Sequence, residues 1–243
     1  MRDRSWTQKT RRIGIMAVFF IVSQFPLQAG AGGIFEGQIV YRGNPPKPKQ
    51  FGIVQDSQVC GTSQYTKEFL VHEGHGIQNV VVTIEHLKEL RTAPFEQSIM
   101  TIRGCEFWPY ITLVSTTGTL NVINGDSISH QISTQSLRDP PINTHMTAAL
   151  TEKTPVKTLR IRFPEILKLQ VAFRPWMTGY LYVTDLPYTV VTDGEGRFKI
   201  VDVPEGRYLI KAWHEKLGYF SKRVRIKEGE VSSLKWVVGH NIN

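Results

Sequence analysis

The sequence TDGEGRFKIVDVPEGRYLI at residues 192–210 has the clearest strand and turn pattern of the chain. Residues 193–196 combine aspartate with two glycines, a composition typical of a tight hairpin turn, and residues 204–206 mark a second turn. Between the turns, Phe198 and Ile200 alternate with charged or polar residues, which places the apolar side chains on one face of an extended chain. The stretch therefore predicts a pair of short strands that cover a core.

Short alternating segments of this kind recur along the whole chain, separated by Gly, Pro, Asn and Asp. Their length and spacing indicate an all-β protein built as a sandwich or barrel. Only residues 85–91 and 164–167 resemble short helices or turns. The predicted strands are 34–42, 80–85, 110–115, 119–124, 159–163, 168–173, 180–184, 188–191, 197–201, 208–214 and 224–227.

The N-terminal residues 1–31 have the pattern of a cleavable export signal. A basic stretch up to Arg12 runs into an apolar segment at 13–27, and small residues follow at 29–31. The apolar segment is about fifteen residues long, short of the ~20 that a spanning helix needs. We therefore expect a periplasmic or secreted protein with no integral membrane segment after cleavage. The paired arginines leave both the general and the twin-arginine export routes open.

Charge and cysteine content narrow the function further. The formal net charge of the 243 residues is +8, and removal of residues 1–31, with five cations and one acid, lowers it to about +4. The remaining charges are dispersed, which disfavours a nucleic-acid partner. The two cysteines, Cys60 and Cys105, are predicted to form a disulfide in an oxidising compartment. Two metal ligands are the alternative, although neither cysteine has a neighbouring His or Cys.

The segments 37–46 and 192–210 resemble the carboxypeptidase regulatory-like domain, a small transthyretin-like β-sandwich. The first supplies the opening strand and its Gly-x-Pro turn, and the second supplies a hairpin. Because the two lie far apart, we interpret 33–92 and 186–238 as one discontinuous sandwich with a second domain, 98–185, inserted. Two sequential sandwiches are the alternative.

The inserted segment resembles a cupredoxin of the plastocyanin-like, methylamine-utilisation type, a Greek-key sandwich that binds copper. The resemblance rests on residues 105–109, 118–130 and 175–177. In that family an N-x-D-x-x-x-H segment provides the first copper imidazole, and C-x-x-H-P-W-M provides the thiolate, the second imidazole and the axial thioether. The resemblance thus implies His130 as the first ligand and Met177 as the axial one.

The other two ligand positions depart from the family pattern. Val171 occupies the position of the thiolate and Arg174 that of the second imidazole. Valine has no lone pair and arginine stays protonated, so a type 1 copper centre is not expected. His130 and Met177 are then vestigial core or rim residues. The alternative is a weak Cu(I) site that uses both of them with His145 as a helper.

No nucleophile elbow, H-E-x-x-H motif or phosphate loop occurs, so we expect no enzyme and no cofactor. The leading hypothesis is an exported binding or assembly module that contacts another exported protein through aromatic residues such as Trp108, Tyr110 and Tyr219. A copper-handling or electron-transfer accessory protein is the second hypothesis. A carbohydrate-binding module with a glycan partner is the third, by analogy between folds.

Overall fold

The computed structural model describes residues 32–85, 95–143 and 145–239, and within them the chain is nearly all β. The predicted all-β class is confirmed. The predicted signal at 1–31 and most of the predicted helix at 85–91 lie outside the described residues. The described elements are β1 (Gly33–Tyr41), β2 (Gln50–Gly52), α1 (Ser57–Cys60), β3 (Ser63–Tyr65), β4 (Val81–Ile84), β5 (Gln97–Ile102), β6 (Phe107–Trp108), β7 (Ile111–Val114), β8 (Thr119–Asn124), β9 (His130–Ser136), β10 (Thr147–Leu150), β11 (Val156–Leu159), β12 (Ile166–Val171), β13 (Arg174–Val183), β14 (Thr189–Val191), β15 (Arg197–Val203), β16 (Gly206–His214), β17 (Gly218–Ile226) and β18 (Val231–Val238).

Two predicted elements are wrong. The strand expected at 159–163 lies earlier, as β11, and residues 160–165 form a loop whose Ile161 is buried in the core. The turn or helix expected at 164–167 gives way to β12, which starts at Ile166. In the first case an apolar residue packs into the core from a loop, and in the second the apolar residues Ile166 and Leu167 join a ladder of backbone hydrogen bonds with β13.

Two sheets pack face to face around the first core. One has the strand order β10-β9-β12-β13-β7 and the other β11-β8-β5-β6. Every strand pair in them is antiparallel except β13–β7 and β5–β8, which are parallel. Strict alternation places Leu120 and Val122 of β8 inside, against Met100, Leu169 and Leu181. This sandwich carries the four positions that the resemblance assigns to copper ligands, His130, Val171, Arg174 and Met177.

A second pair of sheets surrounds the second core. These sheets have the orders β15-β1-β18 and β14-β4-β16-β17. Phe35 and Ile39 of β1 face Val82 and Ile210 across it. Strand β4 is buried on both faces: Val82 faces this core, and Val81 faces the third core described below. Burial on both faces explains why the strand is a continuous β-branched run without alternation.

A third, smaller core lies between the outer faces of β4–β16 and β7–β13. Val81 and Trp213 pack there against Tyr180. The carboxylate of Glu215 accepts hydrogen bonds from the Tyr180 hydroxyl, at 2.8 Å, and from the Tyr110 hydroxyl. Burial raises the pKa of Glu215, and the two tyrosines oppose that shift. Tyr110 is only 7% exposed, so its predicted place on a contact surface is wrong.

The segment 50–65 joins the first core, since Ile53 and Cys60 are buried in it. Cys60 and Cys105 form a disulfide with a Cα–Cα distance of 5.0 Å, as predicted. The domain division into 33–92 with 186–238, and 98–185, stays a prediction. Within the described part of the chain, no helix has the length and apolar character needed to cross a membrane.

Candidate functional site

The turn after β8 fixes the residue at the centre of the candidate site, Asp126. The Asn124 side chain accepts a hydrogen bond from the Asp126 backbone N–H at 3.1 Å and donates one to the Ile128 carbonyl at 2.8 Å. An asparagine that bonds the backbone two residues on makes a compact turn. This turn directs the Asp126 side chain inward, where it is buried.

The Asp126 carboxylate accepts three hydrogen bonds. The backbone N–H groups of Gly104 and Cys105 donate to it at 2.6 and 2.9 Å, and Nε2 of His130 lies 2.9 Å away. Gly104 and Cys105 both adopt a left-handed φ of 60°, so two successive N–H groups converge on one anion. The carboxylate thereby joins the Cys105 turn to the start of β9.

His130 is buried, and burial lowers its pKa although the Asp126 carboxylate acts in the opposite direction. The ring is therefore neutral at neutral pH. Because Asp126 can only accept, the network assigns the ring proton to Nε2 and a lone pair to Nδ1. That Nδ1 is a buried atom without a hydrogen-bond partner among the described residues.

Arg174 starts β13, directly after the hairpin that follows β12. Its guanidinium lies 2.6 Å from the carboxylate of Asp56, the residue that precedes α1. The two side chains are only 16% and 25% exposed. The Arg174 charge lowers the pKa of His130 and the Asp56 charge raises it, so the two charges of the pair have opposite effects on the imidazole.

Val171 and Met177 are both buried in the first core. Val171 lies opposite Ile132 of β9, and Ile132 shares a strand face with His130 because the two are two residues apart. Both Val171 and Met177 line a groove of about 420 Å³ beside the hairpin. The structure thus gathers the vestigial positions at one end of this sandwich.

His145 lies elsewhere. It is exposed, and the neighbouring Met146 donates its backbone N–H to the Thr134 hydroxyl at 2.9 Å. Thr134 is four residues from His130 along β9, about 13 Å at the rise of a strand. The structure does not place His145 beside His130.

The residues present do not fit a type 1 copper ion. Among the described residues, the single cluster of three groups with metal-ligating side chains consists of Cys105, Asp126 and His130, whose ligand atoms lie within 4.8 Å of one another. The Cys105 sulfur is bonded to Cys60, and the Asp126 carboxylate already accepts three donors. With Val171 at the thiolate position, one imidazole nitrogen and one thioether remain, beside a permanent cation.

The hairpin between Val171 and Arg174 carries the most exposed aromatic residue of the described chain. Phe173 is 100% exposed and adopts a φ of +63°. A bulky residue in the left-handed region is a genuine outlier and costs about 1–3 kcal/mol. The left-handed backbone at Phe173 therefore costs conformational energy, and the fully exposed ring makes no packing contacts with the described residues that would offset it.

Sequence reasoning assigned no role to three residues of this end: Asp56, Asp126 and Phe173. Asp126 is the aspartate of the N-x-D-x-x-x-H segment, so its fixed spacing from His130 could have predicted their hydrogen bond. Asp56 carries no such signal, because its partner lies 118 residues away. Of the predicted surface aromatics, Trp108 and Tyr219 are exposed at 53% and 56%.

No protein-family model and no curated protein sequence matches the chain. Solved cupredoxin structures resemble part of it. A purple cupredoxin from Nitrosopumilus maritimus is 17% identical with a TM-score of 0.30, over 36% of this chain and 98% of that one. A mutant plastocyanin of fern is 16% identical with a TM-score of 0.31, over 36% and 99%.

A copper-containing nitrite reductase from Thermus scotoductus SA-01 is also similar to part of the chain. It is 14% identical with a TM-score of 0.32, over 39% of this chain and 23% of that one. This chain thus spans less than a quarter of the reductase. Likenesses this slight assign no function to the chain.

Proposed function

We propose that the protein is an exported, non-enzymatic binding or assembly module whose vestigial copper end serves as a rigid contact surface for another exported protein. The observation that carries this proposal is the Arg174–Asp56 ion pair at 2.6 Å. It places a cation and its counter-ion at the position that a copper ligand would need. The same pair fixes the hairpin that presents Phe173.

A continuous set of contacts supports the rigidity of this end. Arg174 is bound to Asp56, which precedes α1, and α1 ends at Cys60. The disulfide leads from there to Cys105, whose N–H donates to Asp126. A surface that is ordered before binding loses less conformational entropy when a partner binds.

Phe173 is the proposed anchor of the contact. Aromatic residues carry a large share of the energy at protein interfaces when they enter a pocket of the partner. The full exposure and the left-handed φ of Phe173 are both unfavourable for the free energy of the isolated chain. A partner that buries the ring would offset both costs, and the adjacent groove with Arg174 on its wall would supply a polar rim.

The placement of the buried titratable residues favours a non-enzymatic role. His130, His214 and Glu215 have shifted pKa values, but they line none of the three larger grooves that the described residues form. Glu215 is engaged with two tyrosines, and His130 with Asp126. Their perturbation follows from packing rather than from a substrate cleft.

Export is proposed from the N-terminal sequence and agrees with the disulfide, since such bonds persist in oxidising compartments. Fractionation of cells that carry a C-terminally tagged chain, with mass spectrometry of the mature N-terminus, tests this. We expect a product that starts near residue 32 outside the cytoplasm. A cytoplasmic product with residues 1–31 intact would contradict it.

The contact surface is tested by placing a photo-crosslinking amino acid at position 173 of the full chain, expressed in its source organism. The matched control carries it at Phe163, an exposed aromatic at the opposite end of β12 from the hairpin. We expect one discrete protein adduct from position 173 and none of that size from position 163. No adduct at 173, or the same adducts at both positions, would refute the proposed surface.

A copper-handling role is the second candidate, favoured by one observation. The unpartnered lone pair of His130 Nδ1 is the atom that a metal ion would use, and a carboxylate on the opposite ring nitrogen is the usual support for a ligating imidazole. Arg174 and the bonded Cys105 oppose it. The two candidates predict opposite results when copper is titrated into the protein.

A further inference from the structure

Three arginines share the outer face of β16–β17 in the second pair of sheets. Arg207 and Arg225 lie directly opposite each other, and Arg223 lies opposite Leu209 two residues along β17. We name Arg207, Arg223 and Arg225 the arginine cluster. All three are exposed, and with Leu209 they line a groove of about 410 Å³.

The charges of the cluster are poorly compensated. Opposite positions on antiparallel strands place Cβ atoms about 5 Å apart, and like charges there destabilise the pair. Between described residues, the one carboxylate within ion-pair distance of the cluster is Glu205, 3.5 Å from Arg225. Both members of that pair are at least half exposed, so it neutralises little of the charge.

Protection of a sheet edge is the simpler explanation for cations on β17, because this strand ends its sheet. Lys222 and Lys227 already place cations on or beside the strand. Edge protection needs only charge, which lysine supplies as well as arginine. Three arginines on one face, around a half-buried leucine, instead offer forked donors of the kind that hold oxyanions.

We propose that the arginine cluster binds a phosphate-type oxyanion, either free or as the headgroup of a lipid. Residues two apart on a strand are separated by about 7 Å, and directly opposite residues by about 5 Å. Three arginine side chains that project from one face at these separations are within reach of a single multiply charged anion. The site lies on a different pair of sheets from the Phe173 hairpin, so it does not depend on the proposed contact surface.

The test is calorimetric titration of the mature protein with inorganic tripolyphosphate at physiological salt. We expect saturable binding that the double variant R223K/R225K weakens at least tenfold, since lysine keeps the charge and loses the fork. R223Q/R225Q should abolish it. The controls K222Q, on the same strand, and R197K, on β15, should change the affinity less than twofold.

Co-sedimentation with vesicles identifies the source of the phosphate. Phosphatidylcholine vesicles with and without phosphatidate are compared for the same variants. Binding to phosphatidate vesicles that follows the order of the variants assigns a lipid headgroup, and binding to tripolyphosphate alone assigns a soluble anion. No binding in either arm, or equal loss in K222Q and R223K/R225K, would overturn the proposal by leaving only general charge.

Discussion

The guanidinium of Arg174 lies 2.6 Å from the carboxylate of Asp56, across 118 residues of sequence. This contact joins the β12–β13 hairpin to the turn before α1. The disulfide and the three hydrogen bonds to Asp126 extend the connection from α1 to His130. This end of the sandwich is thus held together by an ion pair, a disulfide and hydrogen bonds to one carboxylate.

The Arg174–Asp56 pair should contribute measurably to stability. In a double-mutant cycle of R174M and D56N, we expect a coupling free energy of about 1 kcal/mol, because both side chains are mostly buried and one well-formed bond links them. Urea denaturation of the four proteins measures it. The exposed pair Arg197–Glu195, at 3.4 Å, is the control and should give a coupling near zero. Equal couplings for both pairs would argue against a fixed hairpin.

The disulfide should stabilise the fold by constraining the unfolded chain. It links residues 45 apart, and a loop of that length corresponds to about 4 kcal/mol in the chain-entropy model. We expect the C60S/C105S variant to lose free energy of unfolding on that order. Under reducing conditions the wild-type protein should shift toward the variant. An unchanged denaturation midpoint in both comparisons would contradict this.

Asp126 should be intolerant of an isosteric change. In D126N, one carboxylate oxygen becomes an NH₂ group that faces N–H donors, so at least one of three hydrogen bonds is lost. We expect a destabilisation of about 2–3 kcal/mol by chemical denaturation. The exposed Glu228 offers the matched control, and E228Q should stay within about 0.5 kcal/mol of wild type. If D126N and E228Q were destabilised to a similar extent, the hydrogen bonds of Asp126 would not be important for stability.

Stability should fall as the pH drops below about 6.5. Burial lowers the pKa of His214 to about 4, so the unfolded chain binds a proton in this range before the folded chain does. The sign is therefore destabilising, with about 2 kcal/mol lost between pH 7 and pH 5 through this residue. His130, whose pKa is also lowered, acts in the same direction, whereas the raised pKa of Glu215 acts in the opposite direction.

The variant H214Q separates the contribution of His214. Its stability at pH 7 is lower because the packing against Phe69 is lost, but its decrease between pH 7 and pH 5 should be smaller than that of wild type by about 2 kcal/mol. Thermal denaturation at several pH values measures both slopes. Parallel slopes would show that His214 does not titrate as described.

Alternation and turn chemistry predicted the β class and most strands, since Thr119–Asn124 alternates strictly and faces one core. They failed where polar side chains hide the alternation of buried and exposed positions. His130–Ser136 is a strand although its sequence is largely polar, because its buried positions include His130 and Thr134. Ile161 shows the converse, an apolar residue in a loop.

The candidate site could be predicted only in part. The sequence itself shows that Val171 and Arg174 stand where the resemblance would require a thiolate and a second imidazole. The disulfide could be predicted from the presence of two cysteines. The partner of Arg174 could not be predicted, because an ion pair between distant segments depends on how those segments pack. The exposure of Phe173 depends likewise on a turn conformation that its residue type disfavours.

The most direct test of the proposed metal-free contact surface is titration of the protein, with its disulfide intact, with Cu(I) and Cu(II) in the presence of competing chelators. We expect no intense thiolate-to-copper absorption and no tight stoichiometric binding, with the same result for H130Q. One equivalent of tightly bound copper in the wild-type protein, lost in H130Q and retained in the control H145Q, would contradict it.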